Sequence, residues 1–179
     1  MLKDWRASLL LSGFAFALIG AVSAIAEPAP QPPQQTTATY EDWIVRCETQ
    51  AGPPPLKSCE MVQFTHVKGQ QAALTQVAIG RPQKGQPIKL VIQVPLGIWL
   101  PAGVRFVPGA GEAPLPTTFK RCVQAGCFAD ADLKDDSIRK LRATRTAGKI
   151  EFKDANQKDV ALPVSFNGFG AAYDALSKE

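Results

Sequence analysis

Four cysteines, a lone histidine and two runs of like charge are the residues of this chain that could do chemistry. Cys47 and Cys59 are separated by eleven residues, and Cys122 and Cys127 by four. A structural zinc site needs thiolate and imidazole ligands at spacings such as C-x₂-C, and a redox dithiol needs C-x-x-C; neither spacing occurs. An even cysteine count behind an export signal reads instead as a disulfide framework. Three pairings are open. Pairing of neighbours, Cys47 with Cys59 and Cys122 with Cys127, is favoured because each bond would cross-link adjacent strands. No metal or other cofactor is expected.

His66 lies near the end of an expected strand and reads as a surface or internally satisfied histidine. A Ser-His-Asp site would need it beside a serine, and Ser58, Ser137, Ser165 and Ser177 sit in no nucleophile motif. Cys–His catalysis would need a free thiol, which the disulfides remove. Asp130, Asp132, Asp135 and Asp136 form an acidic cluster. An EF-hand loop would put an oxygen ligand and a glycine where Lys134 and Asp135 stand, so helix capping is the expected role. Arg139, Lys140, Arg142, Arg145 and Lys149 form a basic run. It reads as a solvated helix end, with contact to acidic lipid or envelope polymer as the sharper alternative. Arg139, Lys140 and Arg142 are therefore candidate partner-binding residues. Gly109-Ala110-Gly111 lacks the strand–loop–helix setting of a phosphate-binding loop. No catalytic residue is assigned.

The elements that must hold these groups are short. Trp43, Val45 and Cys47 alternate with Ile44, Arg46 and Glu48, the pattern of a half-buried strand. Strands are expected over Cys59–His66, Ala73–Ile79, Thr117–Val123, Lys149–Lys153 and Val160–Phe166, with a return through Cys127 and Phe128. The longest mainly apolar run past the N-terminus is Leu90–Phe106. Pro95 and Pro101 break it into two strands joined by an apolar corner of Leu96, Ile98, Trp99 and Leu100. Leu90–Val94 reads as a strand covered on both sides. Trp99 is expected to be buried; were it exposed, the corner would be a partner-binding patch. A helix is expected over Asp130–Arg142, capped by Asp130, and a short closing helix over Gly168–Leu176. Many short strands spaced by turns argue an antiparallel sandwich or barrel, mainly β, with one or two short helices.

The chain has 179 residues, 45% hydrophobic and 20% charged, and a formal charge of +4. Lys3 and Arg6 precede an apolar run from Ala7 to Ala21, and Ala24-Ile25-Ala26 fits a small-x-small cleavage rule. Residues 1–26 therefore read as a secretory signal peptide, the alternative being an uncleaved membrane anchor. Residues 27–39, with Pro28, Pro30, Pro32 and Pro33, read as a linker. Residues 40–179 form one domain. Without the leader the charge is mildly basic, too weak and dispersed for nucleic-acid binding.

Five motifs are similar to those of the invasion-associated locus B family. They are D-W-x-V-x-C at Asp42–Cys47, C-E-M-V-Q at Cys59–Gln63 and V-P-L-G-I-W-L-P-A-G-V at Val94–Val104. F-K-R-C-V-Q-A-G-C-F-A at Phe119–Ala129 and L-P-V-S-F-N-G-F at Leu162–Phe169 complete the series. The resemblance implies an exported bacterial envelope protein with an immunoglobulin-like β-sandwich, linked in some pathogens to host-cell invasion. It supplies no catalytic residues.

The expected function is non-enzymatic binding in the periplasm or at the cell surface. The partner would be an envelope or host protein, an anionic lipid or a cell-wall polymer. Membrane contact would run through an uncleaved N-terminus or the basic patch. The alternatives are an accessory subunit of an envelope complex and a carboxylate-dependent hydrolase, which would need two carboxylates facing across a cleft.

Overall fold

The structure is a computed structural model that describes residues 34–69, 72–83 and 85–179. The expected leader and the proline-rich start of the linker lie outside the described residues.

A seven-stranded antiparallel sheet is built from β1 (Gln34–Tyr40), β2 (Trp43–Gln50), β3 (Leu56–His66), β4 (Ala73–Gly80), β5 (Lys89–Val94), β8 (Thr118–Val123) and β9 (Gly126–Asp132). Its spatial order is β1-β2-β3-β4-β5-β9-β8. A second sheet holds β6 (Arg105–Val107), the two-residue β7 (Leu115–Pro116), β10 (Gly148–Lys153) and β11 (Asp159–Val164), in the order β11-β10-β6-β7. Helices α1 (Asp135–Ala143) and α2 (Phe169–Leu176) complete the chain. The architecture is the expected one, mainly antiparallel β with two short helices.

The core lies between the sheets. Val45, Met61, Ile79, Leu90, Ile92 and Val94 of the larger sheet meet Phe106, Ile150, Phe152 and Val164 of the smaller one in one buried cluster. Period-two alternation aims these residues inward, and their outward neighbours meet water. Phe169 of α2 packs edge-on against Trp43, with ring centroids 5.2 Å apart.

A polar clasp ties the sheets together beside this core. The Trp43 indole N–H donates to the Ser165 carbonyl at 3.0 Å, and the Gln63 amide donates to the same oxygen at 3.1 Å. The Ser165 N–H donates to the Gln63 side-chain oxygen at 2.8 Å, and its hydroxyl donates to Asp42 at 2.6 Å. Asn167 adds its backbone N–H to the Ser165 hydroxyl and its side-chain amide to Asp42. The side-chain polar groups of the clasp are thereby satisfied, which is the condition for burying them.

Both disulfides join directly opposed residues of neighbouring strands: Cys47 to Cys59 across β2–β3, and Cys122 to Cys127 across β8–β9. The loop-entropy relation gives their worth. Removing the first by Cys47→Ala/Cys59→Ala is expected to cost about 3 kcal/mol, and removing the second by Cys122→Ala/Cys127→Ala about 2 kcal/mol. Urea midpoints of the two double variants measure the difference. Equal losses would show that loop closure is not how these bonds stabilise the fold.

Four expectations are corrected. Gln34–Thr39, read as linker, belongs to edge strand β1, in register with β2 from Gln34↔Thr49 to Tyr40↔Trp43. Pairing supplies what a Gln- and Thr-rich sequence does not signal by itself. Second, the strand Leu90–Val94 is covered on one face only: Leu90, Ile92 and Val94 are buried, while Val91 and Gln93 are half-buried. Third, α1 begins at Asp135, not Asp130, and its N-cap position is Lys134, which makes no side-chain cap bond. Asp130 and Asp132 are strand residues of β9, drawn into the ladder by Val91 and Lys89 of β5. Fourth, the corner is exposed.

Candidate functional site: an exposed apolar tip

The topology brings three successive connections to one end of the larger sheet, the end that also carries the β1–β2 turn. Strands β3, β5 and β8 run toward that end, and β4 and β9 run away from it. The β3–β4 turn, the corner after β5 and the β8–β9 turn therefore share it. The β8–β9 turn lies against the corner: Gly126, at φ 138°, leaves room for no Cβ, which would sit 2.5 Å from the Val94 carbonyl. The corner crosses from β5 to β6 and hence from one sheet to the other. It is anchored there by an Ile98↔Asp154 bridge and by the Trp99 N–H, which donates to the Lys153 carbonyl at 2.9 Å. A 3₁₀ turn over Leu100–Ala102 closes it, with Gly103 at φ 70°.

Two prolines explain the exposure. Pro95 ends β5 and Pro101 sits inside the 3₁₀ turn, so the backbone between them cannot continue either sheet. Its backbone is pinned at Ile98 and Trp99, and the larger side chains turn outward. Leu96 is 53% exposed, Trp99 41% and Leu100 45%. Six large apolar side chains among the described residues stand exposed, and all but Leu56 lie at this end: Val67, Leu96, Trp99, Leu100 and Val123. A concentration of this kind marks an interaction surface rather than scatter.

The charged residues singled out from the sequence are mostly occupied elsewhere. Arg139 pairs with Asp136 one turn back on α1. Arg142 reaches Asp174 of α2 and lies over the Tyr173 ring, 5.5 Å from its centroid. The hydrogen bond from Arg142 holds Asp174 below the usual carboxylate range, and the Arg142 guanidinium is raised in return. Lys149 pairs with Glu151, which also meets Arg105. The Lys149 hydrogen bond is the largest cause of the lowered Glu151 carboxyl. Of the basic run, Lys140 and Arg145 have no carboxylate within 4 Å among the described residues. The run is thus largely taken up in ion pairs, of which Arg142–Asp174 joins the two helices. It is not brought together with Trp99.

The acidic cluster is divided too. Asp130 and Asp132 face outward beside Lys89, which is 3.6 Å and 2.7 Å away, and Asp130 meets Lys120 at 3.4 Å. A concavity of about 460 Å³ on the sheet's other half carries Glu48, Glu60, Arg46 and Arg81, and there Arg46 takes up Glu60. His66 sits exposed at the end of β3, its ring 6.3 Å from that of Phe64. Cys47 and Cys59 also lie near Glu179, but a disulfide has no thiolate to offer a metal ion.

The signal for the tip was present in the sequence as the apolar residues between Pro95 and Pro101. Val67 and Val123 carried none, because only strand order places them at the same end as the corner, each two strands from β5.

A match to the family described as invasion associated locus B protein covers residues 43–177. Invasion protein B homologs of Brucella abortus, from strain 2308 and from biovar 1 strain 9-941, are each 26% identical over 177 residues. Those alignments span 98% of this chain and 97% of the relative. The crystal structure of invasion associated protein b from Bartonella henselae is 26% identical. It superposes with a TM-score of 0.67, covering 80% of this chain and 95% of that one.

Proposed function

The chain belongs to the invasion associated locus B family, and from that membership we propose that it is an exported envelope protein that binds rather than catalyses. The observation that carries the reading is that all four cysteines are spent in two cross-strand disulfides, with no free thiol left. Such bonds persist in oxidising compartments and are rare in the cytosol. The leader pattern of residues 1–26 agrees with this.

The binding half of the reading is supported by how the carboxylates are used. A general acid of a glycoside hydrolase needs a carboxyl held above its ordinary pKa. The carboxyls shifted clearly here, Glu151, Asp159 and Asp174, all move down, each held charged by a Lys or Arg partner. The family motifs serve the fold in the same way. Asp42, Trp43, Gln63, Ser165 and Asn167 make up the clasp, and Ser165 spends its hydroxyl proton on Asp42. The word "invasion" in the relatives' names extends to this chain as part of the same proposal. The exposed tip favours a second reading, an accessory subunit that meets its partner there.

Fractionation and intact mass of the protein from an expressing bacterium test the first reading. The expected result is periplasmic or envelope material that begins at Glu27 and has no titratable thiol. Cytoplasmic protein with Met1 retained and four reactive thiols would overturn it. A stoichiometric partner that co-purifies from membranes would favour the accessory-subunit reading.

A further inference from the structure

We propose that the tip is a membrane-docking surface that inserts Leu96, Trp99 and Leu100 into the interface of an anionic bilayer. This deepens the binding reading above. Vesicle binding by purified protein does not depend on where the cell sends it, so failure of one leaves the other standing.

Three observations point to lipid. The apolar side chains come from separate connections, Val67 before the β3–β4 turn, Leu96 to Leu100 at the corner and Val123 at the β8–β9 turn. They crown the end of a sheet and line none of the four main concavities among the described residues, so they suit a fluid interface better than a complementary protein pocket. The central residue is a half-exposed tryptophan between two leucines, and tryptophan favours the headgroup boundary, where its ring is apolar and its N–H stays wet.

Charge is the third observation. Lys68 follows Val67, Arg121 precedes the β8–β9 turn, and Lys158 lies on the β10–β11 turn beside the corner. None of the three has a carboxylate within 4 Å among the described residues. Their neighbour Asp154 is committed to the backbone, accepting from the N–H groups of Asn156 and Lys158 at 2.8 and 2.9 Å. Lys153 is paired with Asp159. Glu41 and Asp42 lie toward the β1 edge, three strands from the corner, and Asp42 is held in the clasp. Apolar residues flanked by cations that no carboxylate neutralises, with Arg121 lying over the Phe128 ring 5.7 Å from its centroid, match an anionic lipid surface, where burial and charge attraction add.

The test compares the wild-type protein with two variants on vesicles of phosphatidylcholine with and without phosphatidylglycerol. Sedimentation of the wild type with anionic vesicles, weakened by added salt, is expected. Leu96→Ser/Leu100→Ser is expected to reduce partition by roughly ten-fold or more, because it removes two insertable apolar side chains. Lys68→Glu/Lys158→Glu is expected to abolish the preference for phosphatidylglycerol. Every protein carries the same N-terminus, so any contribution from residues 1–26 cancels. Quenching of tryptophan fluorescence by brominated lipid reports depth, and the quenched fraction is expected to fall in Trp99→Phe. All substituted positions are exposed, and an unchanged melting temperature checks folding. Wild-type protein that ignores anionic vesicles, or a serine variant that binds as well as wild type, would overturn the proposal. Capture of a soluble envelope protein through the tip without vesicle binding would do the same.

Discussion

Replacing Trp43 with alanine is expected to lower stability by about 3–5 kcal/mol. Three losses combine. The side chain is fully buried, so truncation opens a cavity between the sheets. The edge-on contact with Phe169 goes, and with it the main apolar anchor of α2 on β2. The Ser165 carbonyl also loses the indole donor that joins residues 122 positions apart. Trp43→Phe keeps a ring and removes the donor, and is expected to cost less than the alanine variant. Trp99→Ala is the control. With 41% of its surface already in water and no side-chain hydrogen bond among the described residues, it is expected to cost under about 1 kcal/mol. Urea unfolding of the three variants gives the order. If Trp43→Ala and Trp99→Ala fall together, the clasp does not close the sandwich.

Gly168→Ala is expected to destabilise by about 2–5 kcal/mol, from two costs that can be separated. Gly168 has φ 77°, which an L-residue adopts only with strain. A Cβ there would also lie 2.1 Å from the Tyr40 carbonyl oxygen and 2.7 Å from its carbon, both backbone atoms that cannot swing aside. The β1–β2 turn or the start of α2 must move, and Phe169, the next residue, leaves its place against Trp43. Gly111→Ala isolates the first cost: φ is 80°, and nothing lies within 4 Å of the added carbon. It is expected to lose roughly 1 kcal/mol. Thermal melts of both variants decide whether close approach or backbone conformation governs Gly168. Equal losses would dismiss the close approach.

The same contrast between local and distant causes runs through the fold. Strand β2 was legible because its alternation is local: Trp43, Val45 and Cys47 point inward and their neighbours outward. The disulfide pairing followed from strand adjacency across short connections. The start of α1 was not legible. An aspartate before an apolar run is a good cap, yet Asp130 and Asp132 gain more from pairing with β5 and from Lys89, more than forty residues earlier in the chain. Strand β1 was missed for a related reason, since Gln and Thr commit to no element until a partner edge is offered.

For the candidate site the divide is sharper. The corner residues were singled out as an apolar run, and burial was the natural expectation for them. Exposure follows from the path of the backbone, which at that point crosses between sheets with two prolines in it. The basic run read as a solvated helix end, with contact to anions as the sharper alternative, and three of its members, Arg139, Arg142 and Lys149, are taken up by Asp136, Asp174 and Glu151. The cations toward the tip that have no carboxylate partner among the described residues, Lys68, Arg121 and Lys158, come from three distant places in the chain.

The order of residues was enough to determine the family, the β class, the inward-facing positions of the strands and the cross-linking of adjacent cysteines. Each of those depends on period, composition or short separation, which a linear chain displays directly. Only the tertiary structure decided which apolar residues meet water, which charges are neutralised and which turns share an end. These are set by the order of strands in the sheet and by contacts across more than a hundred residues, such as that of Trp43 with Ser165. Neither leaves a local pattern to read.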